Sequence, residues 1–279
     1  MQPEYSIVEL CAALAVRRSG YHAWVSRSPG PRAQADALLL PLIRQAHQDS
    51  RQTYGSPRIR IWLQERGQCC GRRRISRLMR QAGLSHRRSR RFRPVSLTDS
   101  QHDFPIAPNL LVHRRPTVQP DAVWVADITY VPTEEGWLYV AGLLDRCTRR
   151  CIGWAFGDSL ATTLPLAALD MALKQRRPPA GLVHHSDRGV QYASDAYRQR
   201  LAQAGVIPSM SRRGNCYDNA MMESFWSTLK RDLVHRCQFA TRAAAQAAIF
   251  EWIEVFYNRQ RFHSALAYQS PVDFETKLN

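Results

Sequence analysis

From residue 121 onward the chain changes texture, and this stretch narrows the fold more than anything before it. Three β-branched apolar runs, "DAVWVADITYV", "GWLYVAGLLDRCT" and "CIGWAFGDSL", follow one another with only short turns between them. Such spacing predicts an antiparallel meander. "TTLPLAALDMALKQR" has a helical period, "GLVHHSD" reads as a short buried strand ending in an acid, and "SDAYRQRLAQAG" reads as a helix capped by Ser194 and stopped by Gly205. "VIPSMS" is a further strand. "NAMMESFWSTLKRDLV" is a helix that buries Met222, Phe225, Trp226, Leu229 and Leu233 at spacings of three and four. A long helix capped by Thr241 leads into a basic, aromatic tail. The predicted order is β-β-β-α-β-α-β-α, an α/β core.

Upstream the chain reads as all-α and strongly basic. Residues 1–115 hold 21 Arg, no Lys and 7 acids, a balance of +14, so the remainder carries only +2 of the total of +16. A basic front end on a nearly neutral body predicts a polyanion held by one region and worked on by another. Residues 1–33 read as a short helix-turn-helix-like segment, with Val8, Leu10, Leu14 and Val16 on one apolar face and Tyr21 and Trp24 on the next. Residues 34–93 read as a basic helix-turn-helix module. In its "YGSP" turn Ser56 can cap a helix and Pro57 can take the first helical position. The last helix of that module carries Arg72, Arg73, Arg74, Arg77 and Arg80, buries Ile75, Leu78 and Met79, and ends at Gly83, which fits a groove-binding DNA reader. Residues 94–119 are proline-rich and read as a linker, residues 120–235 as the α/β core, and residues 236–279 as a helical C-terminal extension.

Several classes are disfavoured. No run approaches the roughly 18–20 apolar residues of a membrane span. The amino terminus lacks a signal-peptide pattern, so the expectation is a protein kept in the cytoplasm, associated with the nucleoid. The seven cysteines show neither CxxC nor C2H2 spacing and read as reduced thiols. No G-x-x-x-x-G-K-[ST] loop points to ATP.

Three acids need an account. Asp127 interrupts a β-forming run in "WVADITY", although Asp is disfavoured in strands. Asp187 follows a strand directly, and Glu223 lies on a helix beside two methionines. Taken singly, they read as an outward-facing strand residue, a turn former and a solvated helix acid. Between Asp187 and Glu223, however, lie 223 − 187 − 1 = 35 residues. That interval resembles the D,D(35)E arrangement of transposases and retroviral integrases, whose ribonuclease H-like core has the same element order around a mixed five-stranded sheet. In that fold the three carboxylates converge. They would repel one another and take up protons unless cations neutralised them. Mg²⁺, with its preference for oxygen ligands, meets the need. Two such ions about 3.5–4 Å apart activate a nucleophile and stabilise the leaving oxygen of a phosphodiester.

The resemblance extends along the chain. "WVADITYV", "GWLYVAGLLDRCTRRCIGWAF", "HHSDRGVQYAS", "SMSRRGNCYDNAMMESFWSTLK" and "YNRQRFHSALAYQSPVDF" are similar to stretches of OrfB-type DDE transposases of bacterial insertion sequences (the "three" family), and "YGSPRI…RRRISRLMRQAGL" to the helix-turn-helix module ahead of their core. The resemblance implies that Asp127, Asp187 and Glu223 bind two Mg²⁺ ions, with Mn²⁺ able to substitute. It implies strand cleavage that frees a 3′-hydroxyl, followed by strand transfer. Lys230, two helical turns past Glu223, matches a phosphate-binding lysine; Arg188, Arg212 and Arg213 are candidate phosphate contacts. His185 either touches the scissile phosphate or orders Asp187. Arg259, Arg261 and His263 match a tail motif whose role does not follow from the sequence. The implied partners are terminal inverted repeats, target DNA, further copies on paired ends, and an upstream-frame helix-turn-helix/leucine-zipper protein or a fusion with it. The rivals are a DNA-binding repressor, which leaves the three acids unexplained, and a ribonuclease H-type nuclease, which needs no basic front end. A tyrosine or serine recombinase would require a covalent nucleophile in an Arg-rich site that these residues do not assemble.

Overall fold

The structure is a computed structural model that describes residues 5–84, 102–112, 118–212 and 216–278, in two compact units dividing after Ser85. No helix among the described residues is long and apolar enough to cross a membrane.

The first unit is all helical. Helix α1 (Ile7–Ala13) starts in a capping box, in which Ser6 Oγ accepts from the Glu9 N–H and the Glu9 carboxylate accepts from the Ser6 N–H. Helix α2 (Arg18–Val25) follows. The two helices fall where the sequence predicts them, but their apolar faces do not become a core. Val8, Leu10, Leu14, Val16 and Trp24 are all exposed, and in α1 only Cys11 is buried. Helices α3 (Pro31–Asp49), α4 (Ser56–Gln64) and α5 (Arg72–Gln81) do build one, around Ile43, Ala46, Ile59, Leu63 and Ile75. Ser56 is the first residue of α4 rather than its cap; Gly55 occupies that position without a side-chain bond. Gly83, just past α5, takes the left-handed conformation (φ +67°) that ends the helix.

The second unit is built on one mixed sheet with strand order β3-β2-β1-β4-β5. Strands β1 (Val123–Thr133), β2 (Gly136–Asp145) and β3 (Cys151–Gly157) form the expected antiparallel meander, and β4 (Val183–Ser186) and β5 (Ile207–Met210) add in parallel beyond β1. Helix α6 (Thr163–Arg176) provides the crossover, and the short α7 (Val190–Ala193) precedes α8 (Asp195–Gln203). Alternation along β1 divides its side chains between two cores. Trp124 and Ala126 join Leu164, Leu169, Tyr197 and Leu201 under α6 and α8. Val125 and Val131 join Met222, Phe225, Trp226 and Leu229 of helix α9 (Ala220–Asp232) on the other face.

Helix α10 (Arg242–Glu251) shares this second core, through Ala245 and Ile249. Thr241 caps it, accepting from the Ala244 N–H at 3.0 Å. The predicted single long helix does not run through. It widens into a π-helical turn at Trp252–Tyr257, which turns Trp252, Ile253, Phe256 and Tyr257 inward together. Helix α11 (Pro271–Thr276) ends the chain's regular structure. Residues 102–112, which read as linker from sequence, lie on this unit instead. His102 Nε2 is 2.9 Å from the Arg188 carbonyl oxygen, Asn109 Nδ2 donates to Asp218, and the Leu110 N–H donates to Ser209 Oγ.

Candidate active site

Asp127 lies on β1 directly opposite Gly142 of β2, and β4 runs parallel beside it with Val125 level with His185. Continuing that register by two residues sets Asp187, just past the end of β4, level with Asp127 on the neighbouring strand. Asp187 is held by its own turn, where the Gly189 N–H donates to Oδ1 at 2.9 Å. Glu223 occupies the first turn of α9 and is exposed. The start of that helix is tied to β1, because Asn219 Nδ2 donates to the Ala126 carbonyl at 3.1 Å, one residue before Asp127.

Electrostatics link the three acids. Desolvation of Asp127 pushes its pKa well above the ordinary carboxylate value. The nearby charge of Asp187 adds to this, as does that of Glu223 to a smaller degree; the Ile128 N–H and the Trp226 indole oppose it. Partial desolvation raises Glu223 as well. Each carboxylate thus acts on Asp127, yet among the described residues no three His, Cys, Asp or Glu side chains are gathered closely enough to hold one ion. The donor set still suits a hard divalent cation. It offers carboxylate oxygens only, and a cation would offset the desolvation, and the smaller repulsion from its neighbours, that drive Asp127 toward its protonated form.

Lys230 lies near the same point. Its ammonium is 4.5 Å from the centre of the Tyr130 ring, and although desolvation lowers its pKa, the charge of Asp127 acts in the opposite sense. Arg188 Nε donates to the Ser211 carbonyl at 2.6 Å, joining the ends of β4 and β5. Arg212 is exposed but doubly bonded to Asp218 at 3.1 Å. Arg213 is outside the described residues.

His185 lies beside Asp187 at the end of β4, inside the core. It is fully buried, with Nδ1 2.9 Å from Ser209 Oγ and Nε2 3.1 Å from Ser211 Oγ. Burial lowers its pKa to about 4. Both ring nitrogens are engaged, so the imidazole ties β4 to Ser209 of β5 and to Ser211 just past it.

The basic helix α5 also divides. Arg74 Nε and Arg77 Nη2 both bond Asp36 of α3, at 2.6 and 2.5 Å, whereas Arg72, Arg73 and Arg80 are exposed. Of the tail motif, Arg261 is buried against Asp232 at the end of α9. Arg259 is exposed and 3.9 Å from Glu254, and the His263 N–H pairs with the Gln269 carbonyl. Asn258 bonds both backbone groups of Cys151, its Oδ1 accepting from the N–H and its Nδ2 donating to the carbonyl. The motif's described contacts are therefore internal to the core.

Sequence reasoning missed three neighbours of Asp127. Asn219 reads only as a residue before a helix, and Trp226 as core. Gly142 gives no sign that a Cβ there would come within 2.8 Å of the Trp226 ring. Their significance depends on cross-strand register, which the sequence does not state.

Comparison with known proteins agrees with this architecture. One integrase core domain family matches residues 117–216, another integrase core domain family matches residues 204–271, and an HTH-like domain family matches residues 33–92. The insertion element IS600 uncharacterized 31 kDa protein of Shigella sonnei is 47% identical over 270 residues, covering 97% of this chain and 98% of that protein. Transposase InsF for insertion sequence IS3A of Escherichia coli (strain K12) is 37% identical over 278 residues, covering 99% and 96%. The HTLV-2 integrase catalytic core domain in complex with magnesium (trimeric form) superposes with a TM-score of 0.44 at 12% identity, covering 57% of this chain and 98% of that one. Similarity to the two insertion-element proteins runs along nearly the whole length of each, and the chain belongs to the family of insertion-sequence transposases built on an integrase core domain.

Proposed function

We propose that this transposase cuts and rejoins DNA at the ends of its insertion sequence with Asp127, Asp187 and Glu223 as the metal-binding acids. The supporting observation is that the carboxylates at the end of β4 and in the first turn of α9 both bear on Asp127 of β1, whose partner helix is tied to that strand by Asn219. Asp127, Asp187 and Glu223 would together hold Mg²⁺, two ions in this proposal, with Mn²⁺ as a substitute. When bound, such ions supply activation of a water or 3′-hydroxyl and stabilisation of the leaving oxygen. The chain's own residues do the remainder. The Gly189 N–H orients Asp187, and Asn219 sets α9, with Glu223, against β1. Lys230, placed by Tyr130, offers a cation to the phosphate beside Asp127. Arg72 and Arg73 on α5 are exposed for the DNA backbone, so binding should weaken steeply with salt. Work on two ends at once calls for more than one copy, at the nucleoid.

The test uses labelled DNA carrying the terminal repeats, with Mg²⁺, with Mn²⁺ and with neither, and Asp187→Asn protein alongside. Metal-dependent nicking and end joining, lost in the variant, is the expected result. Equal activity in the variant would overturn the assignment. Binding without strand chemistry would show that the chain does not act alone; adding the upstream-frame protein or its fusion then separates a missing partner from a repressor.

A further inference from the structure

The residue opposite Asp127 on β2 is a glycine, and the space it leaves is filled from another element. A Cβ on Gly142 would stand 2.8 Å from Cη2 and 3.0 Å from Cζ2 of Trp226. The indole of Trp226, one turn past Glu223 on α9, is therefore seated over β2 at the level of Asp127. Alternation along β1 puts the Asp127 side chain on this same face, since Val125 and Val131 share a core with Trp226. Trp226 is almost fully buried, and its Nε1–H has no partner at hydrogen-bond geometry. An unpaired buried donor is costly, and the nearby carboxylate is a natural acceptor.

We infer that Trp226 is a positioning residue for Asp127: its indole N–H, admitted by the missing side chain at Gly142, closes on the Asp127 carboxylate and holds it in its metal-binding orientation. One helix then sets two carboxylates, carrying Glu223 itself and orienting Asp127 through Trp226. Metal-ligating carboxylates are generally held by such outer hydrogen bonds, and losing one costs about 10–100-fold in metal affinity. This inference rests on the proposed metal-binding role of the three acids.

The full chain is titrated calorimetrically with Mn²⁺ alone, as wild type, Trp226→Phe, Asp187→Ala and Glu223→Gln. Trp226→Phe keeps most of the ring volume and removes the donor, and should weaken Mn²⁺ binding by about 10-fold or more. Independently, the Trp226 indole N–H resonance of the wild-type chain should shift when Asp127→Asn is introduced. If Trp226→Phe does not fold, that resonance decides the matter. Wild-type Mn²⁺ affinity in folded Trp226→Phe, or an indole signal indifferent to Asp127→Asn, would overturn the inference. Unchanged Mn²⁺ binding in Asp187→Ala and Glu223→Gln would instead remove the metal site itself, and with it the metal-orienting role, while the indole signal would still report whether the contact exists.

Discussion

Arg261 Nε donates to Asp232 Oδ2 at 2.9 Å, and both side chains are almost completely out of water, at 3% and 2% exposure. Asp232 ends the helix that carries Glu223 and Lys230, so this pair fastens that helix to the C-terminal segment. Breaking a buried pair from one side costs up to about 3–5 kcal/mol when the other charge is stranded, and Asp232 keeps a second partner in Arg231 at 3.2 Å, so the lower end applies. Arg261→Ala should lose stability on that scale by denaturant titration. Arg259→Ala, on an exposed side chain, should lose less than about 0.5 kcal/mol.

The buried histidines predict acid sensitivity. Burial lowers His184 to about 3 and His185 to about 4, from an ordinary value near 6.5. Between those values and 6.5 the unfolded chain binds more protons than the native one, so stability falls as pH falls through this window. Melting temperatures measured from pH 7 down to pH 4 should drop steadily. His185→Gln, which keeps a polar side chain between Ser209 and Ser211, should flatten part of the slope.

Asp127 has the opposite sign. Its native pKa is raised, so the metal-free native state binds the extra proton and loses stability as pH rises from the ordinary carboxylate range through the raised value. Asp127→Asn should therefore melt higher than wild type at neutral pH without metal. Divalent metal should raise the melting temperature of wild type and not of the variant. A variant that melts lower than wild type in metal-free buffer would contradict this account.

On α5 the arginines should behave differently. Arg72→Ala or Arg73→Ala should weaken DNA binding nearly equally for all sequences and reduce the slope of log affinity against log salt by about 1, read by fluorescence anisotropy. Arg74→Ala should act chiefly on the fold of its own unit by releasing one arm of Asp36, which a thermal melt would detect.

Much of this was readable because it depends on local pattern. The apolar spacing in α9 places Met222, Phe225, Trp226 and Leu229 inward, and the structure buries all four. The five strands and the order of their helices follow from alternation and short turns. The acid spacing also stands in the sequence, and the fold gives it meaning by laying β4 parallel beside β1. What escaped was set by pairing between distant segments. Asp36 meets arginines 38 and 41 residues away, Asn109 meets Asp218, and Asn258 meets Cys151, none of which has a local signature. The π-helical turn escaped because its sequence is compatible with an ordinary helix. Val8, Leu10, Leu14, Val16 and Trp24 of the α1–α2 segment stay exposed, which the sequence does not reveal because a helical period predicts a face and not its burial.

The second core draws Val125 from the first strand and Trp252, Ile253, Phe256 and Tyr257 from the last long helical segment. All three acids leave the ribosome before that later segment does. A nascent chain thus holds its complete set of acids while the wall behind them is still unmade. The core against which α9 packs can therefore close only once synthesis has passed Tyr257, so the helix carrying Glu223 is seated last.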